Sequence, residues 1–161
     1  MNKKILVILV ILCVFAAVQV HSLGIGAQLN YYTGEMFAPG LSIVLSPTER
    51  AHLALNWFID FEETNIVGLT FDVCPVKASL TPFNAGPVFF TLGLGLYSNV
   101  VITDEIGFTG GLRIPLGFSL FLARTFELYT HVAPSFGVNM LPSIDFSKPF
   151  YPVALGARLW F

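Results

Sequence analysis

The chain has 161 residues, 55% hydrophobic, 14% aromatic and only 11% charged, with a formal net charge of −2. Soluble domains carry about a quarter charged residues, so the composition argues against an ordinary soluble enzyme. The slight acidity argues against nucleic acid as a partner, because neutralising phosphates needs a basic face.

At the amino end, Lys3 and Lys4 precede an apolar run from Ile5 to Val18, and Val20-His21-Ser22 closes it with compact residues at the first and third places. This pattern predicts a cleavable secretory signal over residues 1–22, since a spanning helix needs about 20 apolar residues and this run stops short. Cys13 follows the bulky Leu12 and reads as part of the apolar run rather than as a lipidation site. Removing the signal leaves six basic against ten acidic residues, a net charge of about −4, and Cys74 as a single thiol without an internal disulfide partner.

After Ser22 no apolar run is long enough for a spanning helix. What recurs is period two, the mark of strands whose two faces meet different surroundings. Eight segments show it, in chain order 23–32, 40–46, 51–61, 65–74, 87–97, 106–122, 126–136 and 151–161. In the first, Leu23, Ile25, Ala27, Leu29 and Tyr31 oppose Gly24, Gly26, Gln28, Asn30 and Tyr32. The third is the clearest, with Leu53, Leu55, Trp57, Ile59 and Phe61 against His52, Ala54, Asn56, Phe58 and Asp60. In the sixth, Pro115 falls on the polar face and withholds a ladder hydrogen bond, which predicts a bulge or a break.

Residue types set the direction of the faces. The polar faces are rich in Gly, Ser, Thr and Ala with few Lys or Glu, a poor solvent surface and a good lining for a narrow lumen. The apolar faces are large and nearly free of charge, as hydrocarbon requires. The expectation is an all-β fold, an eight-stranded antiparallel transmembrane barrel over residues 23–161. Outer-membrane lipid is then the main partner, the chain is a monomer, and the compartment is the outer membrane of a double-membraned bacterium.

With both barrel ends periplasmic, the inner turns are 47–50, 75–86 and 123–125, carrying Arg50, Lys77 and Arg124. The outer loops hold Glu35, Glu62, Glu63, Asp104, Glu105, Asp145 and Lys148, a mostly acidic rim open to a host or environmental ligand. The last of them, about residues 138–150, is the longest. Tyr31, Trp57, Tyr151 and Phe161 fall outward near strand ends, where interfacial aromatics belong, while Tyr97 and Trp160 fall inward.

The carboxy end, Gly156-Ala157-Arg158-Leu159-Trp160-Phe161, resembles the terminal signal of outer-membrane barrels. That resemblance implies recognition by the barrel assembly machinery through Tyr151, Val153, Leu155, Ala157, Leu159 and Phe161. The whole organisation is similar to the small eight-stranded class of OmpX, OmpW and the OmpA membrane domain, without the periplasmic wall-binding domain of the last. Leu23-Gly-Ile-Gly-Ala, Leu55-Asn-Trp, Arg113-Ile-Pro-Leu-Gly, Glu127-Leu-Tyr and Val132-Ala-Pro-Ser resemble a spirochaete family of small outer-membrane barrels.

The polar faces direct Asp60, Asp72, Arg113, Glu127, His131, Arg158 and His52 toward a lumen just wide enough for side chains to fill. A plug of ion pairs and hydrogen bonds is the expectation, with Glu127 opposite Arg158 on adjacent strands. Catalysis is not expected. Ser135 and His131 share a face but have no evident acid partner, no Gly-x-Ser-x-Gly turn occurs, and two histidines with one cysteine do not form a metal site by spacing. No cofactor is implied.

The function expected is a structural or surface-interaction barrel. A narrow channel for small hydrophobic solutes, as resemblance to OmpW implies, and a soluble periplasmic ligand-binding barrel are the alternatives. A Phe161→Ala variant is expected to accumulate in the outer membrane below the wild-type level, as read by fractionation and immunoblotting. Undiminished levels would count against the terminal assembly signal.

Overall fold

The computed structural model describes residues 21–32, 36–59, 65–80, 86–103, 106–122 and 125–161. Its strands are β1 (Ser22–Tyr32), β2 (Met36–Thr48), β3 (Ala51–Ile59), β4 (Asn65–Ser79), β5 (Val88–Ile102), β6 (Ile106–Arg113), β7 (Leu116–Leu122), β8 (Phe126–Val132), β9 (Ser135–Leu141), β10 (Asp145–Phe146) and β11 (Val153–Trp160).

They form eight staves. β6 and β7 are one stave, and both pair with β5, from Ile102↔Ile106 to Gly95↔Arg113 and from Leu92↔Leu116 to Val88↔Leu120. β8 and β9 are the next, paired with β7 and β6 respectively. β10 and β11 descend along the last. β11 meets β1 from Tyr31↔Val153 to Gly24↔Trp160, which closes the sheet into an all-antiparallel, eight-stranded barrel.

The interruptions have a common cause. Proline keeps its carbonyl acceptor but has no N–H to donate. Gly93 N–H donates to Pro115 O at 2.9 Å, Ile114 N–H to Pro134 O at 2.9 Å, and Ala133 N–H to Pro152 O at 3.0 Å. Three prolines on successive staves therefore lie along one line of the wall, each withholding a ladder bond. The break at Pro115 agrees with the sequence, and the phase survives it: Arg113, Pro115 and Gly117 are buried while Leu112 and Phe118 are exposed. The break at Pro134 was not expected, because the alternation reads through it.

Several strand limits differ from expectation. β2 begins at Met36 rather than Gly40. The first part of the predicted turn over residues 75–86 is strand, because a bulge between Val73 and Val76 absorbs the missing N–H of Pro75 and β4 continues to Ser79. β5 runs on to Ile102, with Ser98 and Asn99 paired to Gly110 and Thr109 rather than turning. The predicted long loop at about residues 138–150 is mostly a hairpin. β9 reaches Leu141, β10 returns with Asp145↔Asn139 and Phe146↔Val138, and Ser135 and Phe150 exchange backbone bonds at 2.9 and 3.2 Å. Tyr151 precedes β11 instead of lying in it.

The alternation of exposure follows the predicted faces. Leu94, Leu112 and Leu155 are 67%, 63% and 60% exposed, whereas Ser42, Ala133 and Ser135 are at most 2% exposed. Leu45 and Leu53 depart from this. They lie on the outward phase but are buried, and they are direct partners across β2 and β3.

Closure can be tested by cross-linking. With Cys74 replaced by Ser, cysteines introduced at the partner positions Ala27 and Ala157 are expected to form a disulfide on mild oxidation of the folded protein. Cysteines at Ala27 and Thr130 should not. Failure of the first pair to cross-link would open the barrel.

Candidate functional site: the lumen

Inward side chains divide the lumen into a charged half and an amide-rich half. In the charged half, Glu127 and Arg158 are register partners on β8 and β11. Arg158 Nη1 lies 3.1 Å from Glu127 Oε2, and Trp160 Nε1 donates to the same oxygen at 2.7 Å. The Arg158 guanidinium also stands 4.2 Å from the Tyr129 ring centre and 5.4 Å from that of Trp160. Glycines make room for this stack. A Cβ on Gly156 would come within 2.6 Å of Tyr129 Cζ, and one on Gly24 would overlap Arg158 Cδ.

A second ion pair spans three staves. Asp72 on β4 and Arg113 on β6 share Gly95 of β5 as their register partner, and Arg113 Nε reaches Asp72 Oδ1 at 3.3 Å. A side chain at Gly95 would overlap that carboxylate oxygen. Nearby, His131 stacks on Tyr129 with ring centres 5.9 Å apart, and His52 Nδ1 lies 2.8 Å from Ser46 Oγ.

Tyr129 joins the two halves. Its hydroxyl donates to Gln28 Oε1 at 2.6 Å, and Gln28 Nε2 donates to Asn30 Oδ1 at 2.9 Å and Asn56 Oδ1 at 3.3 Å. Asn30 Nδ2 continues to Ala38 O at 3.3 Å. Beyond the amides, the Phe150 ring meets that of Tyr97 edge-on at 5.4 Å. Phe150 is held there by its backbone bonds to Ser135, and the Tyr97 hydroxyl lies over Gly137, where a Cβ would collide with it. What remains is a cavity of about 30 Å³ bordered by Asn30, Phe58, Tyr97 and Phe150, room for about one water.

The charged half is roomier. A cavity of about 380 Å³ extends toward the end that carries Ser22 and Trp160. Cys74, Thr91, Gly117 and Ser119 line it with small groups, Phe121 with a ring, and Arg113, Glu127, Tyr129 and Arg158 with charged and polar ones.

Asp72, Arg113, Glu127, His131 and Arg158, with His52, all border this vestibule. Asp60 lies outside the described residues, as do Glu35, Glu62, Glu63, Asp104 and Glu105. Asp145, in β10, and Lys148, just after it, are exposed. At the carboxy end Tyr151, Val153, Leu155, Leu159 and Phe161 are exposed, and Ala157 is half-buried. The Ser135 hydroxyl donates to Ala133 O at 2.7 Å, so it is committed to the backbone. No group of three or more metal-ligating side chains occurs among the described residues.

Sequence reasoning passed over Gln28, Asn30, Asn56 and Tyr129. Their inward phase was legible, but they are neutral and carried no chemical flag. Phe150 left no usable signal, because its segment read as loop.

No protein-family model matches the sequence, and no curated protein matches it. Solved structures do match. The amino-terminal β-barrel domain of Pseudomonas aeruginosa OprF shares 20% identity over 88% of this chain and 98% of its own, with a TM-score of 0.54. A de novo designed transmembrane β-barrel shares 13% over 89% and 98%, with a TM-score of 0.56. Neisserial surface protein A shares 11% over 86% and 94%, with a TM-score of 0.50. The fold is that of the small outer-membrane barrels. At these identities the likeness is one of architecture, and the lumen chemistry has to be argued from this chain alone.

Removing one partner of a buried ion pair is expensive because the other charge is left uncompensated. Glu127→Ala is expected to lower unfolding stability by about 3–5 kcal/mol in urea titrations of the refolded barrel. The double variant Glu127→Gln with Arg158→Gln should lose less. Equal losses would mean that the pair acts only through packing.

Proposed function

We propose that this chain is a small integral outer-membrane barrel with a side-chain-filled lumen and a structural or surface-interaction role. The observation that carries the reading is the amide and aromatic plug, which leaves only about 30 Å³ in its half of the lumen. An eight-stranded barrel is narrow enough for inward side chains to seal it. Here Gln28, Asn30, Asn56, Phe58, Tyr97 and Phe150 do so.

The exterior supports membrane insertion. Leu94, Leu96, Leu112 and Leu155 are each more than half exposed, a surface that would aggregate in water and is at home in hydrocarbon. That counts against a soluble ligand-binding barrel. The start of β1 and the end of β11 then face the periplasm, with the vestibule at that side and the β9–β10 hairpin on the cell surface beside Asp145 and Lys148. The outward row from Tyr151 to Phe161 is available to the barrel assembly machinery, and the closed sheet leaves no edge that calls for a partner strand. The reading includes no catalytic role.

The 380 Å³ vestibule favours a second reading, a narrow path for small hydrophobic solutes. Such a path would have to displace Phe150. Planar-bilayer recording on the refolded protein separates the two, with heat-modifiable gel mobility as the check on folding. The sealed barrel is expected to be electrically silent, and Phe150→Ala no more than weakly leaky. Discrete, stable openings of the wild-type barrel would overturn the sealed reading in favour of the conduit.

A further inference from the structure

The vestibule is more than leftover space, because its hydrogen-bonding capacity is lopsided. Three cations border it, Lys77, Arg113 and Arg158, together with the carboxylates Asp72, Glu127 and, at the rim, Glu49. The two imidazoles are His52 and His131. Formal charges therefore cancel, whereas donors and acceptors do not. A guanidinium carries five N–H donors and an ammonium three, and neither accepts.

Glu127 Oε2 already takes both Arg158 Nη1 and Trp160 Nε1. Arg113 Nε lies 3.3 Å from Asp72 Oδ1, outside hydrogen-bonding geometry, and both atoms are buried without another hydrogen-bond partner among the described residues. Arg113 Nε and Arg158 Nε are sealed from solvent with no hydrogen-bond acceptor among the described residues, so an incoming acceptor would meet these guanidiniums at their Nη atoms. Lys77 makes no ion pair among the described residues, and its ammonium rests 5.2 Å from the Phe89 ring centre. A buried arginine held by a single carboxylate contact is a costly arrangement unless further acceptors reach it.

The lining between these charged groups leaves room for such acceptors. Cys74, Thr91, Gly117 and Ser119 all present small groups to a cavity of about 380 Å³. A ligand that fits has to be rich in acceptors, poor in donors and compact.

We propose that the vestibule is an oxyanion site, open at the end that carries Ser22 and Trp160 and taking a phosphate or carboxylate group between Lys77, Arg113 and Arg158. Its location inside a folded barrel rests on the reading above, but the chemistry does not depend on whether the barrel conducts. The oxyanion could arrive free in solution or as the headgroup of an anionic lipid at the rim, and both present the same oxygens.

The probe is inorganic phosphate, titrated into the refolded barrel in zwitterionic, phosphate-free detergent and followed by phosphorus NMR line width. Heat-modifiable mobility establishes that each sample is folded, so a failure of the barrel reading is seen separately. Saturable binding is expected in the wild type. Lys77→Gln should weaken it about tenfold, the loss of one charge-assisted contact. The double variant Asp72→Asn with Arg113→Gln, which removes the pair without stranding a charge, should weaken it at least as much. Thr109→Ala, in the hydrogen bond to Asn139 away from the vestibule, should bind as wild type. In a second arm, broadening of phosphatidylglycerol headgroup signals that Lys77→Gln abolishes would identify the lipid as the source of the oxyanion. No saturable binding of either form by the folded barrel, or affinities that Lys77→Gln and the double variant leave unchanged, would overturn the proposal.

Discussion

Closure of the sheet through β1 and β11 is the constraint on which everything else depends. A sheet with edges must cover or blunt them, but here the first and last strands pair along eight consecutive positions. Once the ring is closed, inside and outside are fixed for every strand by its phase. A one-residue slip at any ladder would turn an entire face over. The exposed leucines and the buried Ser, Gly and carboxylate residues are thus consequences of a single register, not of local propensity.

Within that ring the interior is fitted by pairing large side chains with glycines. Asp72 and Arg113 meet across β5 because Gly95 stands between them, Tyr129 has space because of Gly156, and Arg158 has space because of Gly24. The resulting order is cooperative. Arg158 holds Glu127 and covers the Tyr129 ring, and Tyr129 passes a hydrogen bond to Gln28, from which the amide chain runs to Asn30 and Asn56. A buried network of this kind specifies one arrangement when its members are satisfied and is costly where they are not.

Much of this was legible in the residues. Strand count, inward and outward phase, the interruption at Pro115 and the facing of Glu127 with Arg158 follow from period two and antiparallel adjacency. Strand ends were less legible, because the alternation was followed only to Cys74 in the fourth segment and to Tyr97 in the fifth. Pro75 is instead carried by a bulge, and Ser98 and Asn99 simply continue the ladder. The ion pair between Asp72 and Arg113 joins non-adjacent strands, so no rule of nearest neighbours could propose it. It becomes visible only when the shared partner Gly95 is placed.

The two halves of the lumen differ for a reason that runs through the wall. Where β9 continues past Pro134 and the chain returns through β10, an additional inward aromatic, Phe150, is delivered over Tyr97 and fills that end. Toward the end that carries Ser22 and Trp160, Thr91, Gly117 and Ser119 contribute little side-chain volume, so the charged residues face an open space that Phe121 only partly fills. The prolines at 115, 134 and 152 lie along the boundary between these regimes, each interrupting a ladder where the wall changes from a filled to an open interior. The lumen is thus filled unevenly, with amides and aromatics packing one half and arginines that lack full acceptor partners bordering the cavity in the other.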